Sequence, residues 1–576
     1  MGLTKFPCAV LFIIGLEFAE RLCFYTFVGT QKTWLQDQGY SNSQSSSLNL
    51  IFSMISYLSC FFGGWMASTR VGRYKTVVSI AIVYVVGTYV SAVATLPTVR
   101  SVALYMLGTM VLITFGAGGI KPNVSTIGAD QIDPKDPDAE AIRKSFFQYF
   151  YVSINLGSII SHGVLTSLAI SGAPSLGIPV EHGFFFTYMI AASFMAIGLA
   201  AFAAGKRWYR HPAYEDGGKD KKPLHQFFET LRAGWDKPMG KVAVLGWVLM
   251  PSVIVVSVIN AFAHSHVLES VTIVIDVALV ASLVVAHSDN SWLPQGPVTK
   301  CLDCVPILLI GNIFYGILES SVGSFFQSQA CQMDTRSNHD QLDGFQFSGD
   351  FFRMANPIMI IAVTPILDKV VYPTIEGFRG KEVGVNMKVT AGYCCAIIAQ
   401  LIAACLESAR RASPIVHGVH SRCAPLGPDG EHISPNAMSA YWMMIPYAMC
   451  GMGEIMVFPV LQHMAYEGSP PEMKSLLAAF NLFAMGALPN AMASAISQAF
   501  EKLVPNNLNH GNLGLVYVIN SCLGLFGICI FNVVYRSAPK RLKNLKLAAS
   551  ENADTDTGDS SSEEEEESSE SGTNSN

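Results

Sequence analysis

Residues 5–34 read KFPCAVLFIIGLEFAERLCFYTFVGTQKTW, an apolar run with Glu17, Glu20 and Arg21 set in its middle. Two readings compete for such a segment. A cleaved secretory leader has an apolar stretch of about 7 to 15 residues without embedded charges. Here the run continues past its charges to Trp34, and about 20 helical residues suffice to cross a hydrocarbon layer. It therefore reads as a first membrane-spanning helix. The spacing i, i+3, i+4 stacks Glu17, Glu20 and Arg21 on one helix face, and Tyr25, one turn beyond Arg21, extends it. An ionised side chain at the bilayer centre costs at least about 2.5 to 3.5 kcal/mol, so this face is turned toward protein or water.

The rest of the chain repeats the apolar blocks. Of 576 residues, 14% are charged and 51% hydrophobic, with mean hydropathy +0.36; globular chains carry roughly 25% charged residues. In lipid the backbone must satisfy its own hydrogen bonds, which selects helices. Spans are expected at 6–34, 45–67, 76–95, 101–122, 145–170, 184–205, 239–262, 267–288, 303–328, 350–372, 385–408, 437–463, 473–498 and 513–535. The blocks at 239–262 and 267–288 enter as a pair, so the orientation of everything after them is the same with or without them. Removing them leaves two groups of six helices. The expected organisation is an N-terminal six-helix bundle (6–205), a basic cytoplasmic connection with two additional apolar helices (206–302), a C-terminal six-helix bundle (303–535) and a tail (536–576). This all-α membrane pattern, 12 core transmembrane helices plus an extra pair, is similar to the major facilitator fold, which holds substrate between its halves near the midplane.

Charge orients the bundle. With the N-terminus in the cytoplasm, Arg70, Arg73 and Lys75, the loop from Lys206 to Lys241, and Arg536, Lys540, Arg541, Lys543 and Lys546 all lie inside. Of the segments then outside, 171–183 carries no Lys or Arg and 331–350 carries one, Arg336. The positive-inside rule thus places both termini in the cytoplasm. Residues 551–576 hold ten acidic and no basic side chains and no branched or aromatic apolar ones. Such a segment reads as a solvated, disordered tail.

Other features carry less. Most of the 13 cysteines lie in apolar blocks, where they act as small hydrophobes. Cys301 and Cys304 form a C-x-x-C without a second ligand pair, so no metal site is expected. Cys331 and Cys423 fall in outer loops, and whether they pair is not legible. Asn123 begins a glycosylation sequon, yet it sits at the end of a span. Asp276 lies in the extra pair and is given no role; His264 and His266 flank an outer turn and read as solvated.

Besides the first-span trio and Asp276 of the extra pair, the charges singled out within the spans are Lys121, Glu319 and Glu454. The sequences around these charges resemble the proton-dependent oligopeptide transporter (POT/PTR) family of the major facilitator superfamily. EFAERLCFY (Glu17–Tyr25) is similar to its first-helix motif, GAGGIKPNVSTIGADQ (Gly116–Gln131) to its fourth-helix signature and SFFQYFYVSINLG (Ser145–Gly157) to its fifth. RMANP (Arg353–Pro357) and GEIMVFP (Gly453–Pro459) fit in order. There are departures. Leu22 and Phe24 replace Phe and Tyr of the motif, and Phe24 lacks a hydroxyl for substrate. Ser68 stands where the family has an acid ahead of Gly72 and Arg73, which loosens a cytoplasmic contact. Asn481 replaces a Trp that shapes a side-chain pocket.

The resemblance implies a proton-coupled symporter of di- and tripeptides working by alternating access. Protons are the coupling ion and no other cofactor is implied. A zwitterionic peptide needs a cation, an acid and groups for its amides. The resemblance gives Arg21 and Lys121 to the carboxylate, Glu454 to the amine, and Tyr25, Tyr57, Asn155 and Asn356 to the backbone. Glu17, Glu20, Arg21 and Glu319 would couple the proton. The expected partners are a small peptide or related metabolite and the lipid bilayer, with no nucleic acid; the chain is expected to work as a monomer in the plasma membrane. A carrier of nitrate or another small anion on the same fold, and a non-transporting nutrient sensor, are the alternatives. An intramembrane hydrolase is disfavoured because neither H-E-x-x-H nor G-x-S-x-G occurs.

Overall fold

The computed structural model describes residues 7–68, 72–133, 135–210, 223–342, 344–470 and 473–543. The acidic tail, Arg70 and Lys546 lie outside them. Fourteen long helices run through the described residues: α1 (Cys8–Asp37), α2 (Asn42–Ser68), α3 (Arg73–Ala94), α4 (Val102–Asp130), α5 (Ser145–Ser171), α6 (Gly183–Ala204), α7 (Pro238–Ala263), α8 (His266–His287), α9 (Pro297–Cys331), α10 (Phe351–Arg379), α11 (Val385–Ala412), α12 (Ala440–Glu467), α13 (Leu476–Ala499) and α14 (Leu513–Ser537). All but α1 contain a stretch long and apolar enough to cross a membrane. The charges of α1 set it apart, as expected from residues 5–34. Several helices run past their expected ends, α4 to Asp130 and α10 to Arg379, because helical hydrogen bonding continues beyond the apolar stretch.

Local signals set the turns. Gly39, at φ +88°, closes the turn after α1, a conformation open mainly to glycine. Ser41 and Gln44 then cap α2 reciprocally: Gln44 N donates to Ser41 Oγ at 3.2 Å and Ser41 N to Gln44 Oε1 at 3.1 Å. A Cβ on Gly63 of α2 would lie 2.0 Å from the Gly118 carbonyl of α4. That backbone approach draws Lys121 toward α1 and α2.

In the N-terminal half α1 packs on α5 and α6, α2 on α4, and α3 on α4 and α6; in the C-terminal half α11 packs on α12 and α14, α10 on α12, and α9 on α13 and α14. The halves meet where α2 lies against α13 and α5 against α10. The extra pair α7–α8 packs together and on α2, α9 and α13. Its 26 and 22 residues are long enough to span.

Hydrogen bonds between the halves gather at the end where α1 meets α2, hereafter the upper end. Lys32 donates to the Ser324 carbonyl at 2.6 Å and to Ser328 Oγ, Gln327 to the Gly29 carbonyl at 2.9 Å, Asn42 N to Asn506 at 2.9 Å, and Ser47 meets Ser494 at 2.5 Å. A disulfide, Cys331–Cys423, and the short parallel pair Met333–Asp334 with Asn436–Ser439 tie the upper loops of the C-terminal half together. At the lower end, Arg541 donates to Asp303 Oδ2 and to the Gly468 carbonyl, each at 2.9 Å, which fastens the segment after α14 to α9 and to the chain just past α12.

The minor features fall into place. Asn123 donates to the Gly63 and Gly119 carbonyls from a buried position, so its sequon is sequestered. Arg73 finds its acid in Asp130, at 2.5 Å, within its own half. Asn481 is buried and accepts from Asn312 at 2.9 Å. Asp276 is fully buried in the pair, with neither carboxylate oxygen hydrogen-bonded. His264 and His266 lie at the α7–α8 turn, His266 exposed beside Glu269 at 3.1 Å.

Candidate functional site

The trio on α1 is one unit. Arg21 Nε donates to Glu17 Oε1 at 2.7 Å and lies 3.1 Å from Glu20 Oε2. Glu17 and Glu20 are 1% and 0% exposed and three of their four carboxylate oxygens lack hydrogen bonds. Two carboxylates thus share one guanidinium, an arrangement in which a proton can replace part of the cation's role. Lys121 of α4 faces Arg21, Glu20 and Glu17. Its ammonium makes no hydrogen bond among the described residues and rests over the Phe24 ring at 3.2 Å from the centroid and the Tyr57 ring at 4.9 Å. Tyr57 in turn lies across the seam on Gly486 of α13, where a Cβ would sit 2.4 Å from its ring.

The second group belongs to the C-terminal half. Glu319 of α9 faces Glu454 of α12 and Arg353 of α10, and Glu319 Oε2 has no hydrogen bond. Asn356, one turn beyond Arg353 and buried, donates to Glu454 Oε2 at 3.4 Å. Tyr25 stands between the groups, within electrostatic reach of Arg21 on one side and of Glu454 and Arg353 on the other. Asn155 of α5 is buried and spends its amide N–H on the Tyr151 carbonyl at 2.9 Å; Tyr151, which motif reading left unassigned, faces Glu454 and Tyr25.

Of the ten residues expected from the sequence, eight fall into two facing clusters and two lie between them. Arg21, Lys121, Tyr57, Glu17 and Glu20 form a cationic pole with its own acids. Glu319, Glu454 and Asn356 form an acidic pole, with Tyr25 and Asn155 on the wall between. Arg21, Tyr25, Tyr57, Lys121, Glu319, Arg353 and Glu454 are partly exposed although they face other helices. Sequence reasoning missed Arg353, Tyr151, His162, Asp350 and Lys32. The signal for Arg353 was present in RMANP; Lys32 was the one further charge inside the first run.

The POT family profile, PTR2, matches residues 74–511. Protein NRT1/ PTR FAMILY 8.5 of Arabidopsis thaliana is 25% identical over 566 residues, covering 91% of this chain and 88% of its own. Peptide transporter family 1 of Drosophila melanogaster is 27% identical over 433 residues, 74% of this chain and 50% of its own. Among solved structures, an auto-inhibited POT family peptide transporter superposes with a TM-score of 0.69 at 20% identity, covering 94% of this chain and 99% of that one. A POT family transporter in complex with 5-aminolevulinic acid gives 0.62 at 19% identity, covering 94% and 98%. The chain thus belongs to the POT family: it is a multi-pass membrane transporter of the major facilitator fold, not an enzyme.

Proposed function

We propose that this transporter is a proton-coupled symporter of di- and tripeptides. The observation that carries the reading is the pair of facing poles. Arg21 and Lys121, with Tyr57 beside them, lie on one half and Glu454 and Glu319 on the other, with Tyr25 between. A short peptide with a free amine and a free carboxylate matches that polarity end to end. The carboxylate would go to Arg21 and Lys121, the amine to Glu454, and the amide groups to Tyr25, Tyr57, Asn155 and Asn356. Glu17, Glu20 and Glu319 would take up and release the proton as their ion pairs with Arg21 and Arg353 form and part. No other cofactor enters the scheme.

The upper end is the outer side in this reading. Arg73, Lys75, Lys206, Arg207, Lys300 and Arg541 gather at the lower end, in keeping with cytoplasmic N- and C-termini. The hydrogen bonds between the halves at the upper end then hold the conformation described closed to the outside. A plasma-membrane location and function as a monomer complete the proposal.

The driving force suffices. One proton moving with a neutral substrate gains about 2.3 kcal/mol per 100 mV and about 1.4 kcal/mol per pH unit. The total of roughly 3.7 kcal/mol sustains accumulation of roughly several hundredfold.

A second reading, a small zwitterion other than a peptide, draws on the 5-aminolevulinic acid bound to a structural neighbour. The same two poles suit it. Uptake of labelled dipeptide by vesicles reconstituted with the protein, with and without an inward proton gradient, tests the proposal. Concentrative uptake only with the gradient supports it; no uptake favours a sensor or another substrate, and uptake indifferent to the gradient removes the coupling.

A further inference from the structure

The extra pair α7–α8 takes no part in either pole, yet it touches both halves. α8 packs on α9 and α13 of the C-terminal half, whereas α7 packs on α13 and also on α2 of the N-terminal half. The two helices approach closely: a Cβ on Gly246 of α7 would lie 2.7 Å from Leu283 and 2.8 Å from Ser282 Oγ of α8. At the lower end a chain of side chains ties the pair to the C-terminal half. Trp247 Nε1 of α7 donates to His287 Nε2 of α8 at 3.1 Å, His287 Nδ1 meets Asn290 Oδ1 at 2.9 Å, and Asn290 Nδ2 donates to Asp303 Oδ1 of α9 at 2.8 Å. An indole N–H only donates, so His287 Nε2 accepts and Nδ1 carries the proton given to Asn290. Arg541 completes the chain on Asp303 Oδ2.

At the upper end the pair reaches the other half through a relay of neutral groups. Asn260 Nδ2 of α7 donates to Gln498 Oε1 of α13 at 3.0 Å, and Gln498 Nε2 donates across the seam to Ser47 Oγ of α2 at 2.8 Å. Beside it Ser47 meets Ser494, and Ser43 Oγ donates to the Ser497 carbonyl at 3.1 Å. Asn260, Gln498 and Ser47 are all buried. Asn260 ends an otherwise apolar run, and its Oδ1 has no partner among the described residues; the amide is buried for its bond to Gln498. That bond decides which way Gln498 faces. With Oε1 engaged by Asn260, the amide presents its N–H to α2; without it, the amide is free to turn over and offer either end. A polar contact between two helices in lipid ordinarily joins those two alone. His162 and Asp350, for instance, meet directly across the halves; at Ser47 the contact has a third member.

We infer that the extra pair is a strut carried by the C-terminal half that stabilises the closed upper end, with Asn260 as the positioning residue that turns Gln498 toward Ser47. On opening, α2 takes Ser47 away while Asn260 and Gln498 stay together, and the chain from Trp247 to Arg541 keeps the pair on its half. The strut thereby sets how often the upper end opens without touching substrate. This role rests on the proposed alternating access, and not on the substrate being a peptide.

Thr33 of α1 is 1% exposed and lies 3.5 Å from Gln327 of α9 across the seam, so a cysteine there meets a thiol reagent when the upper end opens. In lipid nanodiscs both faces are accessible, which frees the reading from the choice of outer side. The exposed cysteines Cys8, Cys394, Cys405, Cys522 and Cys529 are replaced first, and the rate of the parent without Thr33→Cys is subtracted. At limiting reagent, Asn260→Leu should raise the modification rate by roughly two- to tenfold, the weight of one buried neutral hydrogen bond, and Ser47→Ala by at least as much. Because both act through Gln498, adding Asn260→Leu to Ser47→Ala should raise it no further. Ser257→Ala, one turn earlier on α7, where the buried hydroxyl has no partner among the described residues, should leave the rate unchanged. Asn260→Ala takes the place of the leucine variant if that one misfolds. An unchanged rate in a folded Asn260 variant overturns the strut, as do effects that multiply in the double variant. An equal rise in Ser257→Ala also overturns it, since packing rather than the amide would then be at work. Dipeptide counterflow in the same background separates the two ideas. Altered rates without counterflow keep the strut and lose the peptide reading; counterflow with unaltered rates does the reverse.

Discussion

The ammonium of Lys121 lies 3.2 Å from the centroid of the Phe24 ring, with Tyr57 as its second aromatic neighbour. An aromatic face holds a cation without consuming its hydrogen bonds, so the three N–H groups of Lys121 remain available to an anionic ligand. Phe24 thus keeps the aromatic face that holds the lysine while lacking the hydroxyl of the motif's tyrosine.

This relationship predicts how the cationic pole responds to mutation. A desolvated cation–π contact contributes about 2 kcal/mol, and Lys121 is partly exposed, so a smaller share applies. Phe24→Leu should lower dipeptide affinity by roughly tenfold or less, Phe24→Tyr should leave it nearly unchanged, and Lys121→Gln should lower it further. Dipeptide amides, which lack the terminal carboxylate, should be far less sensitive to Lys121→Gln. Calorimetric titration of both ligand types decides the matter, and equal sensitivity would remove Lys121 from the carboxylate site.

Glu20 is buried beside Arg21, with neither carboxylate oxygen hydrogen-bonded, which suits an acid that is charged for part of a cycle. Glu20→Gln mimics its protonated form. Gradient-driven accumulation should be abolished while counterflow exchange persists, and Glu319→Gln should behave likewise from the other half. Accumulation at the wild-type level in both variants would exclude them as coupling residues.

The N-terminal trio and the helix count were legible because charges inside an apolar run are conspicuous and span length is fixed by membrane thickness. Asp350 was not, because it lies where a span begins and reads as loop. His162 sits in an apolar run that a neutral histidine does not interrupt, and its partner is 188 residues away. Pairing across two halves leaves no local periodicity. The same nonlocality hid the fate of Asn481, whose partner Asn312 lies 169 residues off. Lys32 differs: it lay in the first run itself, but its two acceptors come from α9.

Orientation has a direct test. Leu176 is 79% exposed in an upper loop and Lys237 is exposed in the connection at the lower end, whereas Ser171 and Asn436 are buried and suit labelling poorly. In a background lacking the exposed cysteines, Leu176→Cys should react with an impermeant thiol reagent on intact cells. Lys237→Cys should react only after permeabilisation. The opposite pattern would invert the transporter.

Above the membrane, burial alone would raise the carboxyl of Asp334, but hydrogen bonds from Arg336 and His339 and the charge of Arg336 more than offset it and hold the group below the usual aspartate range. A carboxyl depressed in the fold contributes stability above its unfolded value of about 3.9, and that contribution is lost as pH falls through the folded value. Arg336→Ala should therefore lower the melting temperature at pH 6, and the deficit should shrink below about pH 3, where wild type has also lost the pair. A deficit independent of pH would assign Arg336 a packing role only.

Glu454 separates a peptide from an anion as cargo. Its hydrogen bond from Asn356 is long at 3.4 Å, which leaves the carboxylate able to accept from a substrate amine. Removing one partner of a buried ion pair costs about 3 to 5 kcal/mol in a dry interior. Glu454 is partly exposed, and water in the cleft reduces that figure, so a loss of about one to two decades in affinity is expected. Glu454→Gln should weaken dipeptides with a free amine by that amount and leave N-acetylated dipeptides nearly untouched. A small anion should bind the variant equally well or better, because the substitution removes a like charge. Binding at constant pH for the three ligand types reads this directly. An equal loss for free and acetylated peptides would take the amine away from Glu454, and unchanged binding with a slower transport rate would make the residue part of the gate.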